Sequence, residues 1–440
     1  MFNNNGFFRQ NLAVGFLLFA LFLGAGNIIF PPELGQQAGE NIFVSIVGFL
    51  ITGVGLPLLA IVVVAKNGGD LQVLANRVSV KFGIIFTSIV YLAIGPLFAL
   101  PRTGAVAFSI GIAPHLSENL SSHWLPLFIT TLVFFSVTLY LAYSPTKLID
   151  RIGKVLTPAL LIVICLLAIK AFITPMGEIG ESQGKYINNA FGESFTQGYL
   201  TMDVLGALVF GIVIVQALQA KGIKDRAKQV KISIFAGIVA AIGLAFVYIS
   251  LAYIGVTSTS AVGFLDDGGS ILAAASNVLY GQAGSVILSA TIILACLTTA
   301  VGLLSANAAF FAKLFPKVSY QTFLIIFTLF SFGVSNFGLS TLINISLPVL
   351  LIIYPIAIVL MVTALFGDLF KHNKYVYQFT LIVTTLISLY DGIKQAGYSI
   401  PAYENLLVKL PLYEHSVGWL VPAIVAGVIG YIVGNIVKQK

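Results

Sequence analysis

The sequence predicts an all-helical protein that crosses a membrane many times. Of its 440 residues, 58% are hydrophobic and 9% charged, with a mean hydropathy of +1.00, which leaves too little polar surface for a soluble globule. Apolar stretches of about 20 residues recur along the whole chain, the length that crosses a ~30 Å hydrocarbon core as a helix. The ten-residue alternation expected of an outer-membrane barrel is absent.

Apolar blocks read against charged loops give twelve spans, near 10–37, 42–64, 80–113, 125–143, 148–173, 198–219, 229–256, 283–313, 320–336, 340–366, 375–391 and 416–437. With the N-terminus in the cytoplasm, 18 of the 23 Lys and Arg fall on the inner side: Arg9, Lys66, Arg77, Lys81, Lys147, Arg151, Lys154, Lys221, Lys224, Arg226, Lys228, Lys231, Lys313, Lys317, Lys371, Lys374, Lys438 and Lys440. Lys170, Lys185, Lys394 and Lys409 are left outside, and Arg102 lies within a span. An even number of helices with both termini inside fits this split. The net charge of +7 then reflects orientation in a membrane rather than affinity for nucleic acid. Arg9 ahead of an apolar run has the outline of a signal peptide, but the run continues through Ile28-Ile29-Phe30 without a cleavage site, so it is read as the first span.

Other classes find little support. Cys165 and Cys296 lie in apolar runs and read as small buried hydrophobes, not as a disulfide or a thiolate metal site. His115, His123, His372 and His415 fall in loops on both sides, so no catalytic cluster forms at membrane depth, and no repeated selectivity filter is present. The longest loops, 174–197, 257–282 and 392–415, are assigned outside and have room for short surface or re-entrant helices.

The first span contains "GAGNIIFPP", residues 24–32. Glycine weakens a helix and proline removes a donor, so Gly24-Ala25-Gly26-Asn27 followed by Pro31-Pro32 should unwind it locally. Unwound backbone at membrane depth persists where it lines protein or water, and in secondary transporters such breaks mark the substrate site. An inverted repeat needs a counterpart five spans later, and the sixth span supplies Asp203, Gly206 and Gly211. In the eighth span, Thr298 and Thr299 lie one turn beyond Ala295, so hydroxyls and a carbonyl can converge on a neighbouring helix as oxygen ligands for a hard cation such as Na⁺.

These segments carry a resemblance. "LFLGAGNIIFPPELGQQAGEN" resembles the first-helix signature of the bacterial branched-chain amino acid:cation symporters (the LIVCS, or BrnQ-type, family), and "GYLTMDVLGALVFGIVIVQA" and "LTTAVGL" resemble its sixth- and eighth-helix segments. The resemblance implies a LeuT-type fold: a first five-helix repeat over 1–173, a second, inverted one over 174–366, and two additional helices over 367–440. The first and sixth helices would be interrupted. It implies import of leucine, isoleucine and valine with Na⁺ across the bacterial inner membrane. Backbone around Gly24, Ala25 and Gly26 would receive the substrate carboxylate, and carbonyls of Ala20, Leu23 and Ala295 with the hydroxyls of Thr298 and Thr299 would bind Na⁺. Asn27 matches a residue that helps hold a second Na⁺ in some relatives, but the seventh span offers no Asn to complete such a site.

Read from the residues alone, a zwitterion needs donors and acceptors at the two breaks, and an aliphatic side chain needs an apolar wall. Tyr91, before the Gly95-Pro96 break, and Phe210 are the candidates for that wall, with Gly206 beside the latter. Each buried methylene contributes ~0.8 kcal/mol, so such a pocket separates leucine from alanine better than from isoleucine. Arg102 and Asp203 are the two charges left within spans, and they are expected to line an outer vestibule, as a gate pair or, for Asp203, as a proton site. The expected function is Na⁺-coupled import by alternating access. The alternatives are a proton-coupled amino acid carrier that uses Asp203 and a non-transporting nutrient sensor on the same fold.

Overall fold

The computed structural model describes residues 4–143, 157–220 and 222–438. Lys147, Arg151, Lys154, Lys221 and Lys440, and the start of the fifth predicted span, lie outside the described residues. No strand occurs among the residues described. In chain order the helices are α1 (Asn4–Phe22), α2 (Ala25–Ala38), α3 (Ile42–Leu50), α4 (Leu56–Lys66), α5 (Leu71–Ala75), α6 (Val80–Leu92), α7 (Ala99–Ser109), α8 (Glu118–Ser121), α9 (Trp124–Ala142) and α10 (Thr157–Ile173). There follow α11 (Tyr186–Gln197), α12 (Asp203–Ala220), α13 (Arg226–Val262), α14 (Gly268–Leu314), α15 (Tyr320–Ser335), α16 (Leu339–Leu365), α17 (Lys374–Gln395), α18 (Pro401–Leu407) and α19 (Leu420–Lys438).

Local chemistry sets many of these starts. Asp70, Ser79, Asp225, Asp267, Ser319 and Asn373 each stand just before a helix, and each side chain accepts a hydrogen bond from a first-turn N–H, satisfying donors that the helix itself leaves open. Beyond the caps the helices are apolar on more than one face. Val133 on α9, Ile242 on α13, Leu329 on α15 and Ile382 on α17 are all more than half exposed, as side chains that meet acyl chains should be. Among the described residues, nine helical stretches are long and apolar enough to cross a membrane, and Asn11–Phe22, Leu161–Ile173 and Tyr320–Ser335 are shorter apolar helices.

Three of the long loops read from sequence contain helices: α11, the first part of α14 up to a bend at Gly281 (φ +65°), and α18. The bend separates Gly268–Tyr280 from the stretch predicted as the eighth span.

Packing between elements is reciprocal. The helices of the first span, α1 and α2, pack along α13, while α12 packs along α4, and α4 and α13 touch each other. Two glycines make the first contact close: a Cβ on Gly35 of α2 would lie 2.1 Å from the Ala252 carbonyl oxygen, and one on Gly255 of α13 would lie 2.1 Å from that of Pro32. At the C-terminal end, α17 and α19 pack on each other, and α17 lies against α16.

Where backbone leaves the helix differs in part from expectation. The first break is short: α1 ends at Phe22 and α2 begins at Ala25, with Leu23 and Gly24 between. Pro31 and Pro32 do not extend it, since both lie inside α2, which continues to Ala38 with Gly255 packed against the Pro32 backbone. Near the sixth span, a tight turn over Gly198–Thr201 and Met202 at φ +62° precede α12. Gly206 and Gly211, read from sequence as part of that interruption, are regular helix instead. Gly211 gives close packing, because a Cβ there would lie 2.4 Å from Val64. A third departure falls between α6 and α7, where Gly95 (φ −91°, ψ −123°) precedes Pro96. The glycine admits Asn307 of α14, whose side-chain oxygen would lie 2.3 Å from a Cβ there.

Candidate functional site

Two helix starts meet at one buried cavity. The start of α2 brings Gly24, Ala25, Gly26 and Asn27, and the start of α12 brings Thr201, Met202 and Asp203; all line a space of about 40 Å³, room for roughly three waters. A helix start presents N–H groups without helical partners and the positive end of the helix dipole; here the Gly24 N–H is taken by Asn27 and the Asp203 N–H by Thr201 Oγ1. Ile94, Phe22, Phe210 and Leu303 contribute the apolar part of the lining, and the Phe22 and Phe210 rings meet edge to face with centroids 6.0 Å apart.

Asn27 ties the two starts together. Its side-chain oxygen accepts the Gly24 N–H at 3.0 Å, and its Nδ2 donates to Asp203 Oδ1 at 2.9 Å and Oδ2 at 2.7 Å. The same amide meets the Tyr248 hydroxyl of α13, which donates to Asp203 Oδ2. Asn27, Asp203 and Tyr248 are each almost fully buried, and one hydrogen-bonded cluster joins three helices. Buried polar groups need such partners, because an unpaired one costs about 1–3 kcal/mol.

Arg102 lines the same cavity from α7. It does not pair with Asp203. Its guanidinium donates to the Leu200 carbonyl at 2.6 Å and to Ser346 Oγ on α16 at 2.8 Å, and stands 5.5 Å from the Phe30 ring centroid. Arg102 thereby bonds a carbonyl in the turn just before α12, and its Nε has no hydrogen-bond partner among the described residues. The gate pair expected from sequence is absent for this reason: each charge is bonded to other groups across the cavity.

The five residues read as cation ligands lie on α1, in the break after it and on α14. Thr299 Oγ1 on α14 donates to the Leu23 carbonyl in the first break at 3.3 Å, and Thr298 Oγ1 to the Ala295 carbonyl of its own helix at 2.8 Å. Ala20, Leu23, Ala295, Thr298 and Thr299 are all buried. Gly24 is held against this helix, since a Cβ there would lie 3.0 Å from Thr299 Cγ2. The second bond is what membrane threonines ordinarily make; the first crosses between helices at a point where the chain has lost its own bonding.

Of the substrate-lining candidates, Gly24, Ala25, Gly26, Asn27, Gly206 and Phe210 reach the cavity and Tyr91 does not. Tyr91 stacks on Phe310 with centroids 4.0 Å apart, and the residue one turn later, Ile94, takes the place expected of it. Sequence reasoning missed Tyr248, Thr201 and Ser346. The only signal for Tyr248 was a hydroxyl-bearing ring in the middle of an apolar span, a feature shared with residues of no functional role.

Comparisons with known proteins bear on the family and the fold. The family described as branched-chain amino acid transport protein matches residues 8–437. The branched-chain amino acid permease BraB of Bacillus subtilis (strain 168) is 47% identical over 428 residues, covering 96% of this chain and 95% of the relative. The permease BrnQ of Escherichia coli (strain K12) is 42% identical over 426 residues, with the same coverage of 96% and 95%. Among solved structures, the nucleobase-cation-symport-1 transporter Mhp1, closed with bromovinylhydantoin bound, aligns with a TM-score of 0.66 at 15% identity over 98% of this chain and 92% of its own. MhsT in complex with L-phenylalanine aligns with a TM-score of 0.59 at 15% identity over 95% and 98%. These two likenesses bear on the fold, which is that of the LeuT-type transporters. A multi-pass helical chain whose helix breaks meet at a buried polar cavity, matched over nearly its whole length by permeases rather than enzymes, belongs to the branched-chain amino acid transport protein family.

Proposed function

We propose that this protein is a secondary active transporter that imports leucine, isoleucine and valine by Na⁺ symport through alternating access. The observation that carries the reading is the Thr299 to Leu23 contact, which joins α14 to the first break beside the polar cavity. Oxygen-only ligation by Leu23, Thr298, Thr299, Ala295 and Ala20 suits a hard cation, and an ion there would hold α14 to the α1–α2 break. The substrate carboxylate faces the backbone around Gly24, Ala25 and Gly26, where the Gly24 N–H is already bonded to Asn27, and the aliphatic chain lies among Phe22, Ile94, Phe210 and Leu303. Alternating access would then proceed by rocking of one helix bundle against the other around this site.

The reciprocal packing of α1 and α2 on α13 and of α12 on α4 supports two inverted five-helix repeats, 1–173 and 174–366, with 367–440 added. We count twelve membrane helices, treating α1–α2 and the stretch through α12 as interrupted spans and including the three shorter apolar helices. Both termini then face the cytoplasm of a bacterial cell, following the Lys and Arg distribution. Proton coupling through Asp203 is the second reading, and it is supported by that carboxylate's burial without a cationic partner.

Leucine binding to the purified protein, titrated with Na⁺, tests the proposal. We expect affinity to rise with Na⁺, and Thr299→Ala to need about tenfold more Na⁺ for half-maximal binding, a difference of ~1.4 kcal/mol. Leucine binding that ignores Na⁺ in the wild type, and rises instead as pH falls, would transfer the coupling to Asp203.

A further inference from the structure

We infer that Asp203 is the receptor for the α-ammonium group of the substrate. The inference rests on the transport reading above and adds a specificity-determining residue to it.

Asp203 is 3% exposed and lines the cavity. Its carboxylate accepts from Asn27 Nδ2 on both oxygens and from the Tyr248 hydroxyl on one. A carboxylate offers about four acceptor sites, and the Thr201 side chain stands beside it as a further neutral neighbour. All the groups facing it are neutral. The other charge at the cavity, Arg102, is bonded to Leu200 and Ser346. A buried carboxylate that lacks a cation costs several kcal/mol unless a partner arrives, and within a membrane protein such a residue belongs to the pathway of a ligand or ion. Asp203 lines the cavity, so a cation that enters it comes to stand beside this carboxylate.

The polarity of Asn27 gives the ligand's orientation. Its amide oxygen accepts a peptide N–H at the start of α2 and its NH₂ donates to Asp203. An α-amino acid headgroup has the same layout, with an anionic acceptor at one end and a cationic donor at the other. Placed alongside Asn27, the headgroup would set its carboxylate on the N–H groups of α2 and its ammonium on Asp203, which leaves the side chain toward Phe22 and Phe210. The ammonium supplies the countercharge that the protein does not, so discrimination between amino acids and their deaminated relatives follows from one residue. A hydroxyl in the ammonium's place donates one hydrogen bond and brings no charge.

The test compares leucine with 2-hydroxyisocaproate, its hydroxy-acid counterpart, as ligands of the full-length protein in detergent. The wild type should prefer leucine by about a hundredfold or more, because a site built for a charged donor rejects an analogue that lacks it. Asp203→Asn should lose most of its leucine affinity and keep that for the hydroxy acid, bringing the two within about threefold; Asp203→Glu should retain a preference for leucine. In the wild-type protein, leucine should shield Asp203 from an apolar carbodiimide, read by mass spectrometry, and the hydroxy acid should not. That measurement decides the matter even if the variants fail to fold. A folded Asp203→Asn with the wild-type preference, or equal shielding by both ligands, would overturn the inference while leaving the transport reading intact. A wild-type protein that binds no leucine would overturn both.

Discussion

At the scale of single residues, Asn27 has the largest structural consequence. Its side chain bonds the start of α2, the start of α12 and α13 at once. Asn27→Ala would leave the Gly24 N–H and the Asp203 carboxylate short of partners in a buried site. At about 1–3 kcal/mol for each buried group left unsatisfied, we expect a loss of a few kcal/mol, visible as a lower melting temperature in detergent, with leucine binding reduced tenfold or more. A variant as stable as the wild type would mean that water takes over these bonds. Asn27, Asp203 and the two threonines were picked out from sequence because polar residues in an apolar run are rare and stand out; Asn27, Asp203 and Thr299 line the cavity together with Phe210. Tyr91 was misplaced and Tyr248 overlooked for the opposite reason. Tyrosine serves equally as packing and as a hydrogen-bonding group, and only the neighbours, Phe310 in one case and Asp203 in the other, decide between them.

At the scale of elements, apolar length and charged loops located the helices within a few residues, as with α9, α15 and α16 against the predicted 125–143, 320–336 and 340–366. The position of the breaks was less legible. Composition gave Gly24 correctly but placed the sixth-span break at Gly206 and Gly211, whereas the chain turns at Gly198–Met202. Glycine within a helix has two uses, releasing the backbone or admitting a neighbour, and Gly211 has the second. The crossing of α2 and α13 depends on that use, with Gly35 and Gly255 each set against the other helix's backbone. Because the obstacles are main-chain atoms, Gly255→Ala cannot be absorbed by a rotamer change. Overpacking of this kind costs about 1–3 kcal/mol, so thermal unfolding should shift down clearly. Gly333→Ala serves as the control, since a Cβ there meets nothing within 4 Å, and it should be neutral within about 0.5 kcal/mol. Equal effects from the two would count against the close crossing.

At the scale of the whole molecule, the membrane character and the helical class follow from composition alone, and the family follows from the match over residues 8–437. The arrangement of helices around the cavity was not legible in composition or periodicity. It depends on which helices touch, and those contacts join residues far apart in the chain, such as Asn27 with Asp203 and Leu23 with Thr299. The central claim is that Na⁺ entry drives accumulation of branched-chain amino acids. One coupled charge contributes roughly 2.3 kcal/mol per 100 mV, enough for about fifty-fold accumulation before any Na⁺ gradient is counted. The most direct test is uptake of labelled leucine into proteoliposomes with an inward Na⁺ gradient and no pH gradient, against the same vesicles in Na⁺-free buffer with an inward proton gradient. The account predicts concentrative uptake in the first and only equilibration in the second; accumulation driven by protons without Na⁺, or none under either gradient, would contradict it.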